Sequence, residues 1–421
     1  MSGSNRLRFR GTALIAVALM SVGISACASG SSGGSGGSSA SAESSQPLVI
    51  GASVSLTGDF ADPGKAVKAG YELWQDEINA KGGILGRKVE FKIVDDTSSP
   101  DQVVTNYQNL INQDHVDLVV GPFSSLLTVP SSQVAKRYGY AFLEPAGGGP
   151  KVFAAKLDNL FFVQPAPVVK QGDVFADWIL SLPAADRPKT AAYPELDDPF
   201  SAPIAENVRA RFEGAGIKTV FKEVYPAETQ DFSPIAAKIA AANPDVIVAG
   251  TQSEDAYAMV KSLVQLKFSP KFMYMSNGAN SPLEFPSKVG ASNTAGITSS
   301  GDWFPGSTAT GSAEFTAAYI KKYGGTADTI DNSTAEAYAV GQVLEEVAKR
   351  TGKIDNATII ATLHQTGSTW PTLLGDLSWD AIGQPQGSFH LVQWQGGKLV
   401  PVYPTNVAQA TPVYPKPNWG G

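Results

Sequence analysis

From Leu48 onward, short apolar runs rich in β-forming residues alternate with stretches whose apolar residues recur at helical spacing, and they do so in two successive series. The first series opens with LVIGAS at 48–53. A helical pattern follows over 64–81, through Val67, Tyr71, Trp74 and Ile78, and Gly82-Gly83 closes it. VEFKIVDD, a helix over 102–113, DLVVGP, a helix over 131–138 and YAFLEPAGGGP continue it. The second series runs through TAAYP, a helix over 205–215, TVFKEVY, a helix over 233–242, DVIVAG, a helix over 254–266 and KFMYMSNG. A strand, a covering helix and another strand make a parallel pair, because the helix carries the chain back to where it started. The fold class is therefore α/β, each series giving a parallel sheet flanked by helices. Two series in 421 residues give two lobes rather than one core. Such sheets bind ligands beyond the carboxyl ends of their strands. The loops TGDFADPG, GPFSS, PAGGGP, LDDPFS, TQSEDA and SNGANS fall there.

Charge and chemistry-bearing residues narrow the function. A net charge of -7 is wrong for nucleic acid, whose phosphates demand a basic face. The one cysteine, Cys27, leaves no disulfide framework and no thiolate zinc site. His115, His364 and His390 stand alone, with no metal-binding doublet. The body of the chain holds no GxSxG, GxxxxGK[ST] or HExxH. Asp95-Asp96 and Asp197-Asp198 are sequence neighbours, so their side chains diverge on a strand and read as turn or cap residues. A binding protein with no metal and no cofactor is expected, not an enzyme.

The N-terminus reads as an address followed by an anchor. Arg6, Arg8 and Arg10 precede an apolar stretch over 12–26 that is shorter than the roughly 18–20 residues of a membrane span. Its end, Ile24-Ser25-Ala26-Cys27, resembles a bacterial lipobox, which implies lipid on Cys27 and an extracytoplasmic, membrane-attached protein. Residues 28–47 are glycine- and serine-rich, a tether with a reach of roughly 25 Å.

Five segments in order resemble the periplasmic leucine/isoleucine/valine-binding proteins of ABC importers. These are SLTGDFADPGKAVKAGYELWQDEINAKGGILGRKVEFKIVDD, VVGPFSS, FLEPAGGGP, TQDFSPIAAKIAAANPDVIVAG and GDLSWDAIGQPQGSFHLVQWQGG. The resemblance implies a type I periplasmic binding protein: two lobes joined by three crossovers, near Pro165, Gly296 and Val392, closing on a small solute. It implies lobes of 48–165 with 297–391 and of 166–296 with 392–404, then a proline-rich tail over 405–421. A permease with its ATPase are the implied partners, and the protein is expected to be a monomer. A sensor of the same fold stays open as the alternative.

Site residues follow from the same match. Ser124 and Ser125 stand between a strand and a helix, where hydroxyls and free amides suit a carboxylate; each also suits a plain helix cap. Ser125 matches the family's carboxylate-binding position. Ala146, Gly147 and Gly148 would add backbone amides, with Gly148 where the family has threonine. Phe60, Phe123 and Phe200 match the apolar pocket, and Gln252 replaces a pocket tyrosine. Asn277 stands where the family grips an ammonium with glutamate. Either Asp302, Glu144 or Asp198 takes over that role, or the ligand is a carboxylate or amide lacking the amino group. Trp303 could stack on a ligand ring or pack the hinge, and Tyr338 reads as core.

Overall fold

The computed structural model describes residues 46–365 and 367–420. Cys27, the lipobox and nearly all of the tether lie outside the described residues. Among the described residues no helix is long and apolar enough to cross a membrane.

The first sheet consists of β1 (Leu48–Val54), β2 (Val89–Asp95), β3 (Leu118–Val120), β4 (Phe142–Glu144) and β5 (Leu160–Phe162). Its order is β2-β1-β3-β4-β5 and every pair is parallel. β1, β3, β4 and β5 are almost wholly buried, as strands covered on both faces must be. The second sheet begins with β6 (Thr190–Leu196), β7 (Lys218–Tyr225), β8 (Val246–Ala249), β9 (Phe272–Met275) and β10 (Thr298–Gly301). These take the matching order β7-β6-β8-β9-β10, again parallel. In both sheets the order reverses beside the first strand, and the crevice that opens there is where α/β sheets take ligands.

The second sheet departs from a purely parallel reading. After a small hairpin of β11 (Trp370–Thr372) and β12 (Gly375–Leu377), the chain adds β13 (His390–Gln395) and β14 (Lys398–Tyr403), both antiparallel, at the β10 edge. Their turn, Gly396-Gly397, has positive φ at both residues, which glycine alone adopts without strain and which a tight two-residue hairpin needs. The chain thus crosses between sheets after Phe162, after Gly301 and before His390.

The stretch between the last two crossings packs on the first sheet. Its main element, the helix Asn332–Thr351, lies against the helix Ala61–Ala80. Two glycines set the approach: a Cβ at Gly70 would lie 2.2 Å from the Thr334 carbonyl, and one at Gly341 would lie 2.0 Å from the Trp74 ring. Residues 405–420 form a strap rather than a loose end. Val413 N donates to Gln393, Lys416 N to the Lys271 carbonyl and Trp419 Nε1 to the Phe268 carbonyl, so the strap is stitched to the second sheet.

One helix begins earlier than the pattern suggests. It spans Ser125–Arg137 and runs through Pro130, where a proline ordinarily breaks a helix. Ser124 caps it by accepting from Leu127 N, and Leu127, Val134 and Ala135 are buried, so capping and packing outweigh the proline.

Candidate functional site

The strand-end loops of the two sheets meet across a narrow cavity. From the first lobe come Phe123 and Ser124 after β3, and Ala146 after β4. From the second come Phe200 after β6, Gln252 after β8, and Ser276, Asn277 and Asn280 after β9. Gln164 and Gln171 enter from the first crossover, and Ser333 and Glu336 from the start of the helix Asn332–Thr351. The wall is mostly hydroxyl and amide, relieved by two aromatic rings, and holds no lysine or arginine.

Local structure explains the first wall. Asp95 accepts from Leu56 N, Thr57 Oγ1 and Thr97 N, and Asp96 from Ser55 Oγ and Ser98 N, so the adjacent aspartates tie the loops after β1 and β2 together. Ser124 has φ 80° and ψ 145°, a conformation nearly reserved for glycine. The strain turns its backbone from strand into helix within one residue and leaves the amide-rich end of a 13-residue helix facing the cavity. An isolated parallel bridge, Phe123 to Ala146, holds the two loops side by side.

The second wall is a relay of amides. Asn277 Nδ2 donates to Gln252 Oε1 at 2.9 Å, and Gln252 Nε2 donates to Asp198 Oδ2 at 3.2 Å. Asp198 Oδ1 accepts from Phe200 N, Ser201 N and Ser201 Oγ, capping the helix Ser201–Gly214. Asp198 is therefore already engaged.

Of the residues singled out in the sequence, Phe123, Ser124, Ala146, Phe200, Gln252 and Asn277 share this cavity. Ser125 sits just beneath it, fully buried, its Oγ accepting from Gly149 N. Gly147 N donates to Glu144 Oε1. Gly148 is pressed against Phe162, whose ring would lie 2.3 Å from an added Cβ. Phe60 lines a neighbouring cavity, together with Leu126, Asp198 and Gln252. Trp303 is buried, donates from Nε1 to Ser312 Oγ and meets Phe315 edge-on; Tyr338 packs on the same phenylalanine.

The acids beneath the cavity carry its electrostatics. Glu144 is fully buried and takes hydrogen bonds from Gly147 N and Thr128 Oγ1, yet burial outweighs them and pushes its carboxyl up to about 8. Asp302 is buried behind Glu336 and lies within hydrogen-bonding reach of it. Burial raises both carboxyls; Asp302 raises Glu336 further, whereas the hydrogen bond from Glu336 lowers Asp302, so the pair shares a proton.

A model described as periplasmic binding protein matches residues 47–398. The chain belongs to that family. Among relatives of this periplasmic binding protein, the Leu/Ile/Val-binding protein BraC3 of Rhizobium johnstonii is 27% identical over 359 residues, covering 84% of this chain and 93% of that one. The Leu/Ile/Val-binding protein homolog 1 of Brucella suis is 27% identical over 357 residues, covering 83% and 91%. Among solved structures, the branched-chain amino acid transporter substrate binding protein LivJ of Streptococcus pneumoniae, in complex with isoleucine, aligns with a TM-score of 0.75 at 22% identity, covering 88% of this chain and 100% of that one. A solute binding protein of an ABC transporter from R. palustris, in complex with benzoate, aligns with a TM-score of 0.71 at 19% identity, covering 85% and 95%. The shared architecture is that of type I periplasmic binding proteins.

Sequence reasoning missed Gln164, Gln171, Ser276, Asn280, Ser333 and Glu336. Ser276 and Asn280 lie in the SNGANS loop, already placed at a strand end. Glu336 had one signal: it is the only charged residue in Ala335–Val340, an otherwise apolar run that is buried throughout.

Proposed function

We propose that this periplasmic binding protein is the extracytoplasmic receptor of an ABC importer, capturing a small solute of the branched-chain or other hydrophobic amino acid class by closure of its two lobes. The cavity between facing strand ends carries this reading, because a solute held there touches both lobes and favours the closed form. The end of the helix Ser125–Arg137 at Ser124 suits the solute's carboxylate, and Phe123 and Phe200 suit its apolar part. The protein binds and releases without chemistry, and hands its solute to a permease driven by an ATPase. It acts as a monomer on the outer face of the membrane, held by lipid on Cys27. The two aromatic rings on the cavity favour one second reading, an aromatic carboxylate as solute.

Small-angle scattering with candidate solutes tests the closure. The radius of gyration should fall when a true solute is added, and a value unmoved by every amino acid and aromatic carboxylate counts against a receptor. Cys27→Ser should move the protein from the membrane fraction to the soluble one. A variant still membrane-bound after a high-salt wash removes the lipid anchor from the account.

A further inference from the structure

The cavity has an imbalance that solute capture alone leaves unexplained. Glu336 is 8% exposed, and among the described residues its Oε2 has no hydrogen-bond donor. Gln164 Oε1 and Gln171 Oε1, on the same wall, are also buried without a donor. Buried acceptors in folded proteins are nearly always satisfied, and each one left bare is costly. Here three converge on one cavity with no cationic side chain on it.

One carboxylate and two amide oxygens match an alkylammonium, which has three N–H donors and a charge to neutralise. Asn277, on the opposite lobe, already spends its Nδ2 on Gln252 and brings no charge. We propose that Glu336, with Gln164 and Gln171, binds a protonated nitrogen of the captured solute, so that the counter-charge comes from the first-lobe helix and not from the loop after β9. This rests on the receptor reading above and names the solute as an amine-bearing one.

Proton traffic follows from the surroundings. Glu336 is faced by Asp302, by Asp331 at the head of its own helix, by Glu144 from β4 and by Tyr71 from the helix Ala61–Ala80. None of these is positive. The empty cavity keeps a proton on the Glu336–Asp302 pair, and an arriving ammonium expels it to the buffer.

Calorimetry on the mature chain tests this, with the twenty protein amino acids as probes, each binder paired with its deaminated acid, and benzoate alongside. A binding amino acid should outdo its deaminated partner by about a hundredfold, and its heat should differ between phosphate and Tris buffers as a proton is released. Glu336→Gln should cost about tenfold to a hundredfold in affinity and erase the buffer difference, with circular dichroism unchanged. If that variant fails to fold, the buffer difference in the natural chain decides, and its absence overturns the proposal. Equal binding of a deaminated acid or of benzoate, or full affinity in Glu336→Gln, overturns the proposal and leaves the receptor standing. If no probe binds, the receptor reading and this one fall together.

Discussion

The two sheets share a strand order, yet their ends are built from different material. Beside Phe123, the loops after β3 and β4 meet the cavity with small residues packed without slack: Ala146, the strained Ser124, and behind them Gly147 and Gly148 wedged against Thr128 and Phe162. The second lobe meets it with amide side chains that hold one another, Asn277 to Gln252 to Asp198. Topology therefore places a binding crevice twice but dictates neither of its surfaces. One wall is backbone fixed by close packing, the other is side chain fixed by hydrogen bonds, and the two should respond differently to substitution.

The largest effect is expected where the first wall has no room. Gly148→Val would drive its Cβ into the Phe162 ring and should cost about 3 kcal/mol, read as a lower denaturation midpoint. A midpoint unchanged by this variant would mean that the first wall yields as readily as the second. Gln252→Leu should do the reverse. It removes the middle of the relay, but Asp198 and Asn277 are only half-buried and can turn to water, so the midpoint should hold while solute affinity falls about tenfold. A large loss of stability there would erase the contrast.

The last effect is a slope, small at any one pH step. Glu144 has a folded-state pKa of about 8 against an ordinary 4.5, so between these values the folded chain keeps a proton that the unfolded chain gives up. The stability this contributes is complete below about 4.5 and is lost as pH rises through 8. Glu144→Gln should flatten the fall in unfolding free energy between pH 5 and 8, by on the order of 1 kcal/mol per pH unit, followed as the pH dependence of the melting temperature. An unchanged slope would place the titration on the Asp302–Glu336 pair instead.

Much of this was legible in the sequence, because period and turn chemistry are local. Alternating runs predict four of the five parallel strands in each sheet and the loops at their ends; they miss β5, β10 and the β13–β14 hairpin. Less legible was whatever depended on distant partners. The helix Ser125–Arg137 overrides Pro130 through a cap and buried leucine and valine that no local rule weighs. Trp303 has a tryptophan's appetite for a ligand ring, yet Ser312 and Phe315 satisfy it elsewhere. The acid at the cavity eluded a position-by-position match, since Glu336 comes from a helix that meets the cleft only after the chain has built both sheets.

That late arrival bears on how the molecule comes together. The first sheet's strands end at Phe162, but the face of the helix Ala61–Ala80 that carries Gly70 and Trp74 is covered only by the helix Asn332–Thr351. The second sheet waits in turn for β13, β14 and the strap that ends at residue 420. Each half thus borrows cover from the last quarter of the chain, so an excised half would expose apolar surface. Contacts so far apart in sequence close slowly, so the return of this stretch onto both sheets should be among the last steps of folding.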